Sequence, residues 1–519
     1  RLDLNAPVHS IAPEVQFQNP WEATDPVRVV HLLEHTTGWD DLRFKEYASS
    51  DPKPLTLEEG LNIDPVSRTS RWKPGTRFSY CNSGPAVAAF LVQKITGQRF
   101  EDYVKEKFFS PIGMTTADYF YSPETQKLLT NLYKADGKTP YPYWHISMRP
   151  AGSINASAKE MGYYIQFFLN RGSVRGVQLV PKEAIDRMET PATYYGAQAG
   201  LKTGYGLHNY TTQDDNGFVW HGHNGGVEGG LSEMAYLPNQ GVGYFFSINA
   251  GSGKAMDKIA KLMQSYVTKD IQKPELPAVS RVPQEVAKEY GGWYQGISPR
   301  TQILYFIDRI AGLSRVTVEE NKLTLKPLFG NSRTYVPVTD HLFRTEKESA
   351  ASLALMKADE GLLVQTSGTT RELVPSWLVY SELALVALTA LALASTALFA
   401  LIWIPRLLFR RMRGVKYLQV RVLPFMAVLC LAGAAATVIF GSQDFLRSFG
   451  TPSVYAYGLT FFTLAFAAAS VLGLFAFWRA DPRDMNKGVY WHSFFTSLLC
   501  TLMTIYLMYF GIIGYRSWV

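Results

Sequence analysis

Phe78-Ser79-Tyr80-Cys81-Asn82-Ser83 runs directly into a helical stretch, and Trp220-His221-Gly222-His223-Asn224-Gly225-Gly226-Val227-Glu228-Gly229-Gly230 leads into a strand. Each has an ordinary structural reading: a tyrosine ahead of a helix is commonly a packed aromatic, and a glycine-rich run ahead of a strand is commonly a turn. Their order, and what surrounds them, makes them informative. After the first, Ser83 to about Ile95 reads as a helix that tolerates Pro85 in its first turn and stops at Thr96-Gly97. Upstream, Asp25 is a capping residue, Pro26 suits a first helical position, Val30, Leu32 and Leu33 supply the apolar face, and Gly38 marks a stop. A third helix is predicted over Ala158 to Leu169, before the turn at Arg171-Gly172. The period then changes. Gly217 to Trp220, Ser232 to Leu237 and Gly241 to Ile248 alternate as consecutive antiparallel strands. Residues 1–272 are therefore expected to form an α/β (α+β) domain with a late antiparallel sheet.

Lys273-Pro274-Glu275-Leu276-Pro277 reads as a linker. Beyond it, Ser314 to Glu319, Lys322 to Leu328, Thr334 to Val338 and Gly361 to Thr366 are short, alternating and separated by turns, which predicts a small all-β domain over 282–374. No catalytic cluster falls in it, so a packing, spacer or ligand-gating role is expected.

The last quarter, 377–519, is a membrane domain by composition. Four apolar runs, about 383–404, 422–441, 454–478 and 491–513, each approach the ~20 residues that span a bilayer. The first connection carries Arg406, Arg410, Arg411, Arg413, Lys416 and Arg421 and the third Arg479, Arg483 and Lys487, whereas the second has only Arg447. The excess of cations on cytoplasmic loops then places the preceding domains and the C-terminus outside the cytoplasm, at the cell membrane. Trp377, Trp403, Trp478, Trp491 and Trp518 sit near the ends of the runs, as interfacial aromatics do. Almost no ionisable residue falls within them, only His492 near one end among the acidic, basic and histidine side chains, which favours an anchor or a lateral partner surface over an ion pathway.

The formal charge of +7 on 519 residues is accounted for by these membrane-flanking cations and implies no nucleic-acid partner. Cys81, Cys430 and Cys500 support no disulfide framework, the last two lying inside apolar runs. Arg1-Leu2-Asp3-Leu4-Asn5-Ala6-Pro7-Val8 has neither an initiator methionine nor the pattern of a signal peptide, so a domain that starts further upstream is expected.

The two opening stretches, in this order, resemble two of the three motifs of active-site serine β-lactamases and penicillin-binding proteins, in the class C, D-alanyl carboxypeptidase and esterase branch. Tyr80-x-Asn82 is similar to the family's Tyr-x-Asn element, and His223-Asn224-Gly225 to its Lys-Thr-Gly element with His in place of Lys. The resemblance continues collinearly through Leu2 to Val8, His31-Leu32-Leu33-Glu34-His35-Thr36-Thr37-Gly38, Lys73-Pro74-Gly75, Pro111 to Met114, Ala151 to Ile154 and Met234 to Pro238, covering about Arg1 to Ala250. The β segment resembles small barrel-like domains appended to some relatives.

The resemblance implies a hydrolase that attacks an amide or ester through an acyl-enzyme. A serine hydroxyl becomes nucleophilic only when a base takes its proton, a task shared in this family by a lysine one turn later and the tyrosine. Tyr80 would relay the proton, as a phenolate favoured by neighbouring positive charge; Asn82 would hold the lysine and a substrate carbonyl; and His223 would add a donor or partial positive charge. Asn224 and Gly225 would line the substrate strand, and the Gly226 N–H resembles the second oxyanion donor, a contact typically worth ~3 kcal/mol. The Ser-x-x-Lys segment is expected about fifteen to twenty residues ahead of Arg1. Residues 1–519 alone are then expected to be inactive. Ser50-Asp51-Pro52-Lys53, a literal match, reads as a turn.

No cofactor is implied. His31-Leu32-Leu33-Glu34-His35 fits an inverted zinc motif, but the helix-terminating role of the family's corresponding segment accounts for it. The expected partners are a small-molecule or peptide substrate with an amide or ester bond, the lipid bilayer and an unidentified membrane protein. The alternative to an enzyme is an inactive sensor that keeps the pocket and acts through its membrane helices. A histidine at the third motif, neutral near neutral pH, also disfavours a substrate whose carboxylate needs a permanent cation, and with it a dedicated β-lactamase.

Overall fold

The computed structural model describes residues 2–49 and 53–519, so that most of the Ser50-Asp51-Pro52-Lys53 match lies outside the described residues. The chain forms two compact units, one of residues 1–42, 46–300 and 312–373, the other of residues 43–45, 301–311 and 374–519.

In the first unit, helix α1 (Val29–Leu33) packs against α2 (Ser83–Thr96). Asp25 and Pro26 do not open α1 as the local signals predict. Residues 26–28 are extended because they pair with the start of the chain: Val8 N donates to Val27 O at 2.8 Å and Val29 N to Ala6 O at 3.1 Å. Tertiary pairing overrides the cap. Helix α2 ends as expected, with Gly97 at φ +67° donating its N–H to Gln93 O. Val8, Val29, Leu32, Trp39, Val87 and Leu91 form the core between these helices.

Helix α3 (Ala158–Leu169) begins at a reciprocal capping box: Ser157 Oγ accepts from Glu160 N, and the Glu160 carboxylate accepts from Ser157 N. It covers one face of a four-stranded antiparallel meander, β1 (Tyr210–Gln213), β2 (Val219–Val227), β3 (Gly230–Leu237) and β4 (Val242–Ile248). Strand alternation explains the layers. Met234 and Tyr236 join the α3 core, while Ala235 and Leu237, pointing the other way, pack with Trp220 and Tyr244 under α4 (Gly253–Val267). The glycine run of the second motif is not a turn but the second half of β2, paired His223↔Met234, Gly225↔Ser232 and Gly226↔Leu231. The turn comes after it, at Gly229 with φ +75°.

Residues 292–374 close into an eight-stranded barrel within the same unit. Its strands are β5 (Gly292–Gly296), β6 (Ser314–Glu319), β7 (Lys322–Pro327), β8 (Arg333–Pro337), β9 (Leu342–Arg344), β10 (Leu353–Ala358), β11 (Gly361–Thr366) and β12 (Thr369–Val374), with β5 closing between β12 and β6. Tyr294, Val316, Leu323, Phe343, Leu353 and Val364 fill it.

The second unit has four helices long and apolar enough to cross a membrane: α5 (Ser376–Leu408), α6 (Gln419–Gly441), α7 (Val454–Arg479) and α8 (Lys487–Tyr509). Small residues let them approach: a Cβ at Gly433 would stand 2.5 Å from Phe462, and one at Gly458 3.2 Å from Thr437. Polar side chains pair between helices, Ser395 Oγ with His492 Nε2 at 2.9 Å and Thr396 Oγ1 with Thr496 Oγ1 at 3.4 Å. Two short segments join the bundle. Phe44 meets Phe445 edge to face at 4.9 Å, and the helix Tyr305–Ala311 is held by Arg309 to Glu382 at 2.8 Å and by Tyr506 Oη donating to Phe306 O.

The closest approach under the first motif is at Gly84, in the first turn of α2, where a Cβ would stand 2.6 Å from the Leu32 carbonyl oxygen of α1. Gly84→Ala is expected to destabilise the first unit by about 1–3 kcal/mol, the range for overpacking a close contact, and thermal unfolding measures it. An unchanged midpoint contradicts this packing.

Candidate active site

The start of α2 and strand β2 bring the two motifs together. Tyr80 and His223 lie with ring centroids 6.2 Å apart, while His35 stands 4.2 Å from Tyr80 and Tyr205 6.0 Å from it. Asn224, Gly225 and Gly226 follow His223 along β2 and are exposed beside it. A Cβ at Gly225 would come 2.7 Å from Ser232 Oγ, so this edge stays flat only without a side chain.

Asn82 is fixed by a carboxylate that the sequence did not single out. Asp41, fully buried, accepts from Asn82 N at 2.9 Å, from Asn82 Nδ2 at 2.9 Å and 3.2 Å, from Tyr47 Oη at 3.2 Å and from Arg300 Nε at 2.7 Å. The Arg300 guanidinium carbon also lies 4.6 Å from the Tyr80 ring centroid. Burial, then the Asp41 charge, pushes the Tyr80 phenol up to about 12, with Arg300 opposing. The standing phenolate expected from the motif is therefore not what the geometry favours: Tyr80 is a neutral phenol, suited to pass a proton rather than to hold a charge. Cys81 is no competing nucleophile. It is buried, donates to Asp40 O at 3.2 Å, and burial pushes its thiol up to about 12.

His223 is held at both nitrogens. A carbonyl only accepts, so Nδ1, 2.5 Å from Asn224 O, carries the hydrogen, and Nε2 accepts from Tyr205 Oη at 2.7 Å. Burial lowers the pKa of the ring. In this arrangement the imidazole is neutral and offers a substrate neither a free N–H nor a charge, which corrects the donor role its motif position implies. Tyr205 sets the tautomer, a role with no motif signature in the sequence.

The His31 to His35 stretch does not present two imidazoles on one helical face. Helix α1 ends at Leu33 and His35 is left-handed at φ +54°. His31 Nδ1 accepts from Arg28 N, His35 Nδ1 accepts from Cys81 N, and Glu34 accepts from Arg187 and from the N–H groups of Ala192 and Thr193. Among the described residues no group of three or more His, Cys, Asp or Glu is placed to hold a metal ion. A cavity of about 90 Å³ lined by Lys53, Tyr119, Tyr121, Tyr143 and Arg149 contains none of the motif residues, so the site is placed by motif geometry.

Five histidines of this unit, two buried and three half-buried, have depressed pKa values: His31 near 4, His208 near 3, and His35, His221 and His223 lowered, all chiefly by desolvation. The unfolded chain, with histidines near 6.5, binds more protons than the folded one between those values and 6.5. Their contribution to stability is complete above about pH 7 and is lost as pH falls through 6.5 toward 4. The unfolding midpoint is expected to drop between about pH 7.5 and pH 5, and to drop less in His208→Gln. A midpoint that does not fall contradicts the neutral assignment.

The sequence profile described as Beta-lactamase matches residues 1–267. Over 246 residues the chain is 24% identical to penicillin-binding protein 4 of Amycolatopsis lactamdurans, covering 44% of this chain and 61% of that protein. Over 262 residues it is 24% identical to a D-aminopeptidase of Brucella ovis, covering 49% and 46%. The chain thus spans about half the length of such relatives. Among solved structures, the D-amino acid amidase of Ochrobactrum anthropi with L-phenylalanine amide aligns over 52% of this chain and 78% of that one, at 18% identity and a TM-score of 0.43.

Proposed function

Because the chain belongs to the beta-lactamase family, whose members are serine hydrolases, we propose that it is the greater part of a membrane-anchored, extracytoplasmic serine hydrolase that forms an acyl-enzyme on an amide or ester. The observation that carries this is the convergence of the Tyr80 and His223 motifs, 6.2 Å from ring to ring, beside the open Gly225-Gly226 edge of β2.

In this reading the nucleophilic serine and its lysine lie ahead of Arg1. Tyr80, a neutral phenol flanked by Arg300, passes the proton released by the serine on to the leaving group. Asn82, its Nδ2 locked onto Asp41, leaves its Oδ1 to accept from the lysine. The Gly226 N–H faces the oxyanion as it forms. His223, neutral and held by Tyr205, gives the substrate strand a shaped wall rather than a cation. That supports substrates that do not depend on a carboxylate at this position. The similarity to a D-aminopeptidase supports amides among them.

The test uses the full-length protein, including what precedes Arg1, with a fluorophosphonate probe and a panel of esters, amides and lactams. Labelling is expected, with Tyr80→Phe slowing it by about 10²–10⁴-fold, the usual worth of a positioned acid–base group. Absence of labelling and of hydrolysis across the panel contradicts the proposal and leaves the inactive-sensor reading in its place.

The four apolar helices support membrane anchoring, and the cations of the connections 406–421 and 479–487 support a cytoplasmic face for both. The three native cysteines are buried, so introduced ones report cleanly. A membrane-impermeant maleimide applied to intact cells is expected to label Lys138→Cys, and to label Arg413→Cys only after lysis. The reverse pattern contradicts this orientation.

A further inference from the structure

A barrel segment 220 residues away in sequence grips the Tyr80 motif. Arg77 Nη1 donates to Ile297 O at 3.1 Å, Ser79 Oγ to Pro299 O at 3.0 Å, and Asp41 N to Arg300 O at 3.1 Å. The segment is itself pinned to β12, since Ile297 N donates to Thr370 O and Thr370 N to Ser298 Oγ. From the turn before β11, Glu360 accepts from Arg77 Nη2 at 2.7 Å and from Tyr195 Oη at 3.0 Å. The backbone at Arg300 is thus fixed by both partners before its side chain is considered.

That side chain meets the candidate machinery twice, with Nε on Asp41 at 2.7 Å and the guanidinium on the Tyr80 ring, and it also lies against Tyr47, itself a donor to Asp41. We propose that Arg300 is a positioning residue of the active site, supplied by the barrel, which acts through Asp41 and Tyr80 to hold the Tyr80–Asn82 pair in its working arrangement. The proposal rests on the hydrolase reading above. A fully buried carboxylate is stable only when paired and hydrogen-bonded. The other side chains that donate to Asp41, Asn82 and Tyr47, are neutral, so Arg300 is the cation hydrogen-bonded to it, with Arg71, paired to Asp40, a more distant one. Without it the Asp41 carboxylate loses the cation bonded to it and turns toward water, which releases the Asn82 amide. The pairing with Asp41 also argues against capture of a substrate anion, because the charge is already answered at 2.7 Å.

The same cation acts on Tyr80. The groups facing that phenol are Asp41, Cys81, His35, Tyr205, His223 and Arg300. Asp41 and Cys81 hold its proton on, and His35 and His223 are kept neutral by burial, whereas Arg300 favours its release. Loss of Arg300 therefore moves proton transfer through Tyr80 to higher pH.

The test compares Arg300→Met and Arg300→Lys in the full-length protein, reading the acylation rate with a fluorophosphonate from about pH 6 to about pH 12, where the Tyr80 phenol titrates, and the unfolding midpoint alongside. Arg300→Met is expected to lower the rate by about tenfold or more and to shift the basic limb upward. Arg300→Lys, which keeps the charge but not the planar fork, is expected to restore the limb and part of the rate. A folded Arg300→Met protein with the unmodified rate and profile overturns the proposal. So does a lysine variant no better than methionine, which would reduce Arg300 to packing. If Arg300→Met does not fold, the lysine profile decides alone: a limb at the unmodified position supports the proposal, and one shifted upward overturns it. Failure of the unmodified protein to label overturns the hydrolase reading itself, and this inference with it.

Discussion

A carboxylate with no exposed surface organises the first unit. Asp41 takes hydrogen bonds from the residue that opens helix α2, from Tyr47 and from an arginine on the far side of the linker. Breaking a buried charge pair is costly because the remaining charge has no water to turn to, so the donors have little freedom to be elsewhere. Asn82 is thereby set at the head of α2, Tyr80 is set two residues before it, and the barrel is tied to the segment that carries both. The sheet supplies the opposite wall through His223. Its orientation depends on a second, smaller lock, the Tyr205 hydroxyl on one nitrogen and the Asn224 carbonyl on the other.

Much of this framework was legible in the sequence, and the parts that were not share a cause. Helix α3 runs over the residues expected of it, because its stop before Arg171-Gly172 is local, as is the capping box of Ser157 and Glu160 that the structure shows at its start. The strands of the meander were found by alternation, except β1, whose Tyr-Thr-Thr-Gln carries no apolar period. Helix α1 starts later than its cap predicts because residues 26–28 found partners at the start of the chain. The glycine run was readable as a motif but not as strand, since glycine has low strand propensity and only its β3 partners hold it extended. For the site, Tyr80, Asn82 and His223 came from motif order. Asp41 and Arg300 had no such signal, being 259 residues apart and joined only by the fold.

The second unit shows the same division. Hydropathy located four runs because each approaches the length of apolar residues that crossing a bilayer requires. It does not locate helix ends. Helix α5 begins at Ser376 rather than near 383, since Ser376 to Glu382 are polar or interfacial yet helical, with Glu382 held by Arg309. Helix α8 ends at Tyr509 rather than near 513, where Gly511 at φ +72° turns the chain out of the helix. Within the bundle, glycine approaches and serine–histidine and threonine pairs do the packing that apolar burial does in the first unit.

The account stands or falls on a covalent intermediate. Acylation of the full-length protein with a penicillin or an activated ester, followed by peptide mapping by mass spectrometry, tests it most directly. One adduct is expected, on the serine of a Ser-x-x-Lys segment ahead of Arg1, forming far more slowly when Tyr80 is replaced by phenylalanine. An adduct on any residue from Arg1 onward, or no adduct with a folded protein and a panel of acyl donors, contradicts it.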